Sequence, residues 1–167
     1  MSEPIVIGIG GNIGSEQELI ARFDRAREAI GMLGDHLRSA PLYRTAPIGP
    51  LQPAFLNTAV RIAIPDAQPG ELIAALLEIE RLLGRERLAQ ERNGPRMIDL
   101  DVLIWGARTI RSPELEVPHP RLHERRFALE PLHALLGDDF EVPGRGRLAA
   151  LVERVRHQAV EQIAERW

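Results

Sequence analysis

Residues 94–105, Gly94-Pro95-Arg96-Met97-Ile98-Asp99-Leu100-Asp101-Val102-Leu103-Ile104-Trp105, place two carboxylates one residue apart just after a turn bearing glycine, proline and arginine. From Ile98 onward the run is apolar apart from the two acids and rich in Ile, Leu and Val, which predicts a strand. Side chains two apart on a strand share a face, so Asp99 and Asp101 stand roughly 7 Å apart at about 3.3 Å of rise per residue. Flexible carboxylates close that gap around one or two cations, and Mg²⁺ is commonly held by one or two carboxylates plus substrate phosphates. The pair therefore suits metal-bound phosphates; the plainer alternative is an acid pair on a solvated strand edge. The other face, Ile98, Leu100, Val102 and Ile104, is wholly apolar and is expected to pack on a core.

At 167 residues with 44% hydrophobic content, the chain is long enough for one domain with a sizeable core, here taken as residues 1–167. No apolar run reaches the ~18 residues needed to span a bilayer, and Met1-Ser2-Glu3-Pro4 lacks a basic flank, so a cytoplasmic location is expected. Cysteine is absent, which excludes disulfides and thiolate metal sites. All 21 basic residues are arginine. Without lysine the chain has neither a P-loop nor the strand lysine of a protein kinase, and Schiff-base chemistry is excluded as well. Arg85, Arg87, Arg92 and Arg96 cluster in one connection and Arg121, Arg125 and Arg126 in another, although the net charge is -3. Local arginine clusters on an acidic chain suit a small polyanion better than a long nucleic acid.

Outward from the acid strand, Ile5-Val6-Ile7-Gly8-Ile9 reads as a buried strand and Gly10-Gly11-Asn12-Ile13-Gly14 as the turn after it. Ser15 and Glu18 have capping-box spacing, and Leu19, Ile20, Phe23, Ala26, Ile30 and Leu33 form the stripe of the helix that follows. Ile13 stands where a dinucleotide fingerprint would need glycine, so the turn reads as structural. A strand over about 37–45 leads into the stiff loop Ala46-Pro47-Ile48-Gly49-Pro50-Leu51-Gln52-Pro53. Phe55 to Ile64 is a further strand ended by Pro65. A helix over about 70–83 stops at Gly84, with Leu72, Ile73, Leu76, Ile79 and Leu83 as its core stripe. Glu80 falls inside that stripe, either paired with an arginine or at its margin. Beyond Val117-Pro118-His119-Pro120, a helix is expected over about 121–136 and another from about Leu148. His119 and His123 have the spacing of two zinc ligands on a helix, but Pro118 and Pro120 put His119 before regular helix begins; it either donates to a phosphate oxygen or caps the helix. The order β-α-β-β-α-β with additions at the end fits an α+β, ferredoxin-like antiparallel sheet with helices on one face.

Taken together, the motifs resemble the 6-hydroxymethyl-7,8-dihydropterin pyrophosphokinases of folate biosynthesis, nearly end to end. They are Gly10 to Gly14, Tyr43-Arg44-Thr45-Ala46-Pro47-Ile48-Gly49, Phe55-Leu56-Asn57, Ile79-Glu80 with Gly84-Arg85, Gly94 through Asp101, and Val117-Pro118-His119-Pro120 with Arg125 and Phe127. The resemblance implies transfer of a pyrophosphoryl group from ATP to the pterin hydroxymethyl oxygen, releasing AMP. It implies that Asp99 and Asp101 hold two Mg²⁺ ions, with Arg85 and Arg96 as catalytic phosphate contacts. Glu80, Arg87, Arg92, Ile98, His119 and Arg125 would complete the ATP site, with Arg87 and Arg92 on a closing lid. Thr45, Pro47, Ile48, Phe55, Asn57 and Phe127 would form the pterin pocket, the two phenylalanines stacking on the ring. Taken alone, each phenylalanine also reads as core. This chain departs from familiar members at Gly11, Phe55, Asn93 and Pro120, none of which removes a metal ligand or a stacking face.

Two rival readings use the same features: a ferredoxin-like module binding RNA or a regulatory nucleotide, and a metal-dependent phosphodiesterase or nuclease. The first meets an obstacle, since Trp105 is the only aromatic expected on the acid face and two carboxylates repel phosphate unless metal is present. Small molecules are the expected partners, with no nucleic acid, membrane or obligate protein.

Overall fold

The computed structural model describes residues 3–47, 51–85 and 94–167. Strand β1 (Pro4–Gly11) is followed by α1 (Glu16–Gly31), β2 (Asp35–Ser39), β3 (Leu42–Thr45), β4 (Phe55–Ala63), α2 (Pro69–Leu82) and β5 (Asp99–Trp105). The remaining elements are β6 (Ile110–Arg111), β7 (Glu116–Val117), a 3-10 turn at Leu122–Glu124, α3 (Arg126–Leu136), β8 (Glu141–Val142), β9 (Gly146–Arg147), α4 (Leu148–Arg154) and β10 (Val160–Ala164). The main sheet is antiparallel in the order β10-β3-β4-β1-β5, with β2 also beside β4. Counting β2 and β3 as one interrupted strand, this is the expected ferredoxin-like order, with β10 added at the edge.

Local signals explain the first half. The Ser15 hydroxyl caps α1 by accepting from the Glu18 N–H at 3.1 Å. Leu19, Phe23, Ala26 and Ile30 of α1 pack with Leu72, Leu76 and Ile79 of α2 on one sheet face, against Ile5, Ile7, Ile9, Leu56, Val60, Ile62, Leu100 and Val102. Ile98 is fully buried in the same core.

Four expectations change. The strand over 37–45 is broken at Ala40-Pro41, where proline has no N–H to give the ladder and the Thr58 hydroxyl donates instead to both carbonyls. The helix expected from Arg121 begins at Arg126, after the 3-10 turn. Helices cover both sheet faces, because Leu129, Leu132 and Leu135 of α3 and Leu148 and Leu151 of α4 build a second core over Val6, Ala59, Leu103 and Ile104. Finally, β5 carries an extra residue at Leu103: Ile7 lies opposite Val102 but Val6 opposite Ile104. This bulge turns Ile104 into the second core and Trp105 into the first, reversing the alternation beyond the acids.

At the end of β1, a Cβ on Gly11 would lie 2.8 Å from the Met97 carbonyl oxygen and 3.3 Å from Leu19 Cδ2. Glycine thus lets the backbone entering β5 lie against β1. Gly11→Ser is expected to destabilise the chain by about 1–3 kcal/mol in urea unfolding, because the obstacle is backbone that moves only with the strand.

Candidate functional site

Strand β5 presents Asp99 and Asp101 on the face opposite Ile98, Leu100 and Val102, near enough for the two carboxyls to share a hydrogen bond. Burial, then the charges of Asp99 and Glu80, raise the Asp101 carboxyl to about 7. Glu80, at the end of α2, is buried and ion-paired, which settles its place in the apolar stripe: it accepts from the Leu100 N–H at 3.2 Å and from Arg85 Nη1. The same Arg85 nitrogen reaches Asp99 Oδ1, so one guanidinium bridges helix end and acid strand. Burial opposes the charge on Arg85, but Asp99 and Glu80 outweigh it and hold its pKa above the ordinary value.

Three cavities border the acids among the described residues; apart from one of about 40 Å³ beside Gly8 and Thr58, two remain. The smaller, about 100 Å³, is lined by Thr45, Phe55, Asn57 and Phe127 together with Arg96, Asp99, Asp101 and Arg125. The larger, about 390 Å³, lies between α2 and the 114–120 segment and is lined by Leu76, Glu80, Leu100, Asp101, His119 and Pro120. Asp101 faces both.

Phe55 and Phe127 are half-buried cavity walls rather than members of the buried core. Asn57 donates from Nδ2 to the Thr45 hydroxyl at 2.7 Å, which leaves the Thr45 side chain committed within the wall. Ala46 lines the smaller cavity beside Thr45, whereas Pro47 is not among its walls. Ile98 points into the core, away from both cavities; Leu100 and Val102 line the larger one. The ring of His119 accepts at Nδ1 from the Arg121 N–H at 3.2 Å, and burial followed by the Arg125 charge lowers its pKa. The neutral ring therefore carries its hydrogen on Nε2. Val117-Pro118 is a cis peptide. Ile48, Arg87, Arg92 and Asn93 lie outside the described residues.

Two residues without an expected role tie the site together. Asn12, buried beyond the end of β1, accepts at Oδ1 from the Arg96 N–H at 2.8 Å and donates from Nδ2 to Gln52 Oε1 at 3.0 Å and to the Pro53 carbonyl at 2.9 Å. It thereby joins the first turn, the proline-rich loop and the approach to β5. Arg22, on α1, is also buried and donates from Nη1 to the carbonyls of Ile13 at 2.8 Å and Met97 at 2.9 Å. A glycine-rich turn followed by an asparagine marks Asn12 in the sequence; nothing local marks Arg22.

Sheet order and site together define a ferredoxin-like α+β domain with a charged cleft along β5. The family profile described as 7,8-dihydro-6-hydroxymethylpterin-pyrophosphokinase (HPPK) matches residues 6–137. A pyrophosphokinase of 2-amino-4-hydroxy-6-hydroxymethyldihydropteridine from Pseudomonas aeruginosa is 32% identical over 166 residues, covering 98% of each chain. Its counterpart from Synechocystis is 36% identical over 165 residues, covering 95% of this chain and 80% of that protein. The mitochondrial folate synthesis bifunctional protein of Pisum sativum is 44% identical over 137 residues; the match covers 81% of this chain but 25% of that protein's length. A crystal structure of wild-type Plasmodium falciparum HPPK-DHPS superimposes with a TM-score of 0.70 at 13% identity, covering 92% of this chain and 43% of that one, a likeness of fold. The chain belongs to the 7,8-dihydro-6-hydroxymethylpterin-pyrophosphokinase family. No helix among the described residues is long and apolar enough to cross a membrane.

Asn12→Ala is expected to cost about 2–3 kcal/mol in urea unfolding, because it strands the Arg96 N–H as well as removing two donations. Asp101 makes one contribution to the pH dependence of the metal-free protein. Between the ordinary carboxyl value of 3.8 and about 7 the native state keeps a proton on this group that the unfolded chain has lost, so its contribution to stability falls as pH rises through that interval, against the opposite contribution of the buried His119. Asp101→Asn should remove this contribution, making stability fall less, or rise more, with pH than in the parent; identical slopes for the two proteins would contradict the assignment.

Proposed function

We propose that the chain transfers a pyrophosphoryl group from ATP to the hydroxymethyl oxygen of 6-hydroxymethyl-7,8-dihydropterin, giving AMP and the pterin diphosphate. The observation that carries this reading is the placement of Asp101 between a small cavity with two phenylalanine walls and a larger one beside α2. A flat acceptor in the first and a nucleoside triphosphate in the second bring a hydroxyl and a phosphate chain together at the acids. Family membership supports the same reaction. The RNA-module reading loses ground, since Trp105 packs in the core behind the acid face.

In this reading the hydroxymethyl oxygen forms a bond to the β-phosphorus of ATP. The bond from that phosphorus to the oxygen bridging it to the α-phosphate breaks, AMP leaves, and the hydroxyl proton passes to solvent. Such transfer depends on position and charge neutralisation, so no covalent nucleophile is required. Asp99 and Asp101 are the residues that would hold two Mg²⁺ ions: they are hard oxygen donors converging on one cleft, and their mutual repulsion favours a cation. Mg²⁺ bound there supplies neutralisation of phosphate charge. Arg96 and Arg125, which line the smaller cavity, and Arg85, paired with Asp99, add positive charge, joined in this proposal by Arg87 and Arg92. Glu80 aims Arg85, and His119 offers Nε2–H to a phosphate oxygen. On the acceptor side, Phe55 and Phe127 stack on the pterin and Asn57 meets its edge beside Thr45; Pro47 and Ile48 belong to the acceptor site in this proposal through the family resemblance alone. Ile98 supports the nucleotide site from behind β5.

Incubation with ATP, the pterin and Mg²⁺ is expected to yield AMP and pterin diphosphate in equal amounts. ADP as product, or no AMP at saturating substrates, would refute the proposal, and hydrolysis of nucleic acid would favour the nuclease. Asp99→Ala and Asp101→Ala should each lower turnover by about 10³-fold or more while leaving the fold intact by circular dichroism. Phe127→Ala should raise the KM for pterin about tenfold and leave that for ATP little changed.

A further inference from the structure

The family profile ends at residue 137, yet the chain beyond it reaches both walls of the smaller cavity. On one side β10 pairs with β3, Val160 lying opposite Thr45. On the other, the side-chain amide of Gln158 brackets Arg125. Its Oε1 accepts from the Arg126 N–H at 2.9 Å, and its Nε2 donates to the Glu124 carbonyl at 2.7 Å. Arg126 returns the contact, donating from Nη1 to the carbonyls of Arg156 at 3.0 Å and Gln158 at 2.7 Å, and from Nε to Glu130 at 2.9 Å.

This bracket supplies what the local chain does not. Helix α3 starts at Arg126 without a side-chain cap from Arg125, whose own backbone is extended (φ -122, ψ 105). The first N–H of α3 is satisfied by Gln158 in its place. Arg125 Nε is buried and has no hydrogen-bond partner among the described residues, while the guanidinium lies 5.5 Å from the centre of the Phe127 ring. Phe127 also packs on the second core, but no side-chain hydrogen bond at Nε holds Arg125 among the described residues, and Gln158 grips the backbone on both sides of it.

We propose that Gln158 is a positioning residue for acceptor binding: together with β10 it forms a strap over residues 156–164 that sets the gap between the Thr45 wall and the Arg125–Phe127 wall. The proposal rests on the reading of the smaller cavity as the pterin site. Gln158→Met keeps the length of the side chain and removes both hydrogen bonds. Pterin affinity, measured with saturating non-hydrolysable ATP analogue and Mg²⁺, is expected to weaken about tenfold, the effect of two bonds of ordinary strength. In a Phe127→Ala background the same substitution should cost less than about twofold, because the ring that stacks on the acceptor is gone and Arg125 alone remains to be positioned. A generally structural role would give equal losses in both backgrounds. Should Gln158→Met melt markedly lower, Gln158→Glu carries the same comparison: it retains the acceptor for Arg126 and should recover part of the affinity. An unchanged affinity, or equal losses in the two backgrounds, overturns the proposal alone. A parent chain that binds no pterin overturns the functional reading and the proposal with it.

Discussion

Glu80 is the constraint on which the acid strand depends. A carboxylate buried at the end of α2 is costly unless it is paired and hydrogen-bonded, and both requirements are met by groups that also belong to the cleft. The Leu100 N–H draws β5 against α2 between the two aspartates. Arg85 neutralises Glu80 and extends to Asp99, so the charge that makes Glu80 tolerable inside also reaches an acid that lines the cleft. Removing either partner would leave an uncompensated charge within the fold. That is why a structural ion pair and a candidate phosphate contact coincide in one guanidinium.

The cleft is assembled from segments far apart in the chain, and polar ties rather than apolar packing hold them. Asn12 and Arg22 anchor the backbone entering β5 to the first turn and to α1, while Gln158 anchors the start of α3 to the C-terminal strap. Each tie ends on a backbone group, which fixes the main chain and leaves the neighbouring side chains facing the cavity. Apolar packing alone would specify the layers but not the sub-ångström placement of the cavity walls.

Strand β1, helices α1 and α2, and the alternation of Ile98 through Val102 were legible because each is written in a local period, a cap or a stop: Ser15 with Glu18, the stripe Leu72 to Ile79, and Gly84. The break at Ala40-Pro41 was less so, since β2 and β3 read as one strand until Thr58 claims the carbonyls. The fate of Ile104 and Trp105 was not legible at all. Alternation assumes an unbroken pleat, and the bulge at Leu103 arises only when β5 is paired with β1. The second helical layer was missed for a related reason: α3 reads as amphipathic in isolation, but which sheet face receives it depends on Val6, Ala59 and Leu103 being exposed to it.

Residue chemistry and order alone determined the acid pair, the arginine clusters, the absence of any lysine-based phosphate machinery and the family resemblance, because these are properties of composition and spacing. Tertiary structure alone decided that Asp101 stands where the smaller and the larger cavity meet, that Ile98 turns to the core, and that Asn12, Arg22 and Gln158 hold the walls. Their partners lie 84, 75 and 32 residues away along the chain, and no periodicity encodes a hydrogen bond across such separations. It exists only once the sheet has closed and the two backbones have been brought to within reach of one side chain.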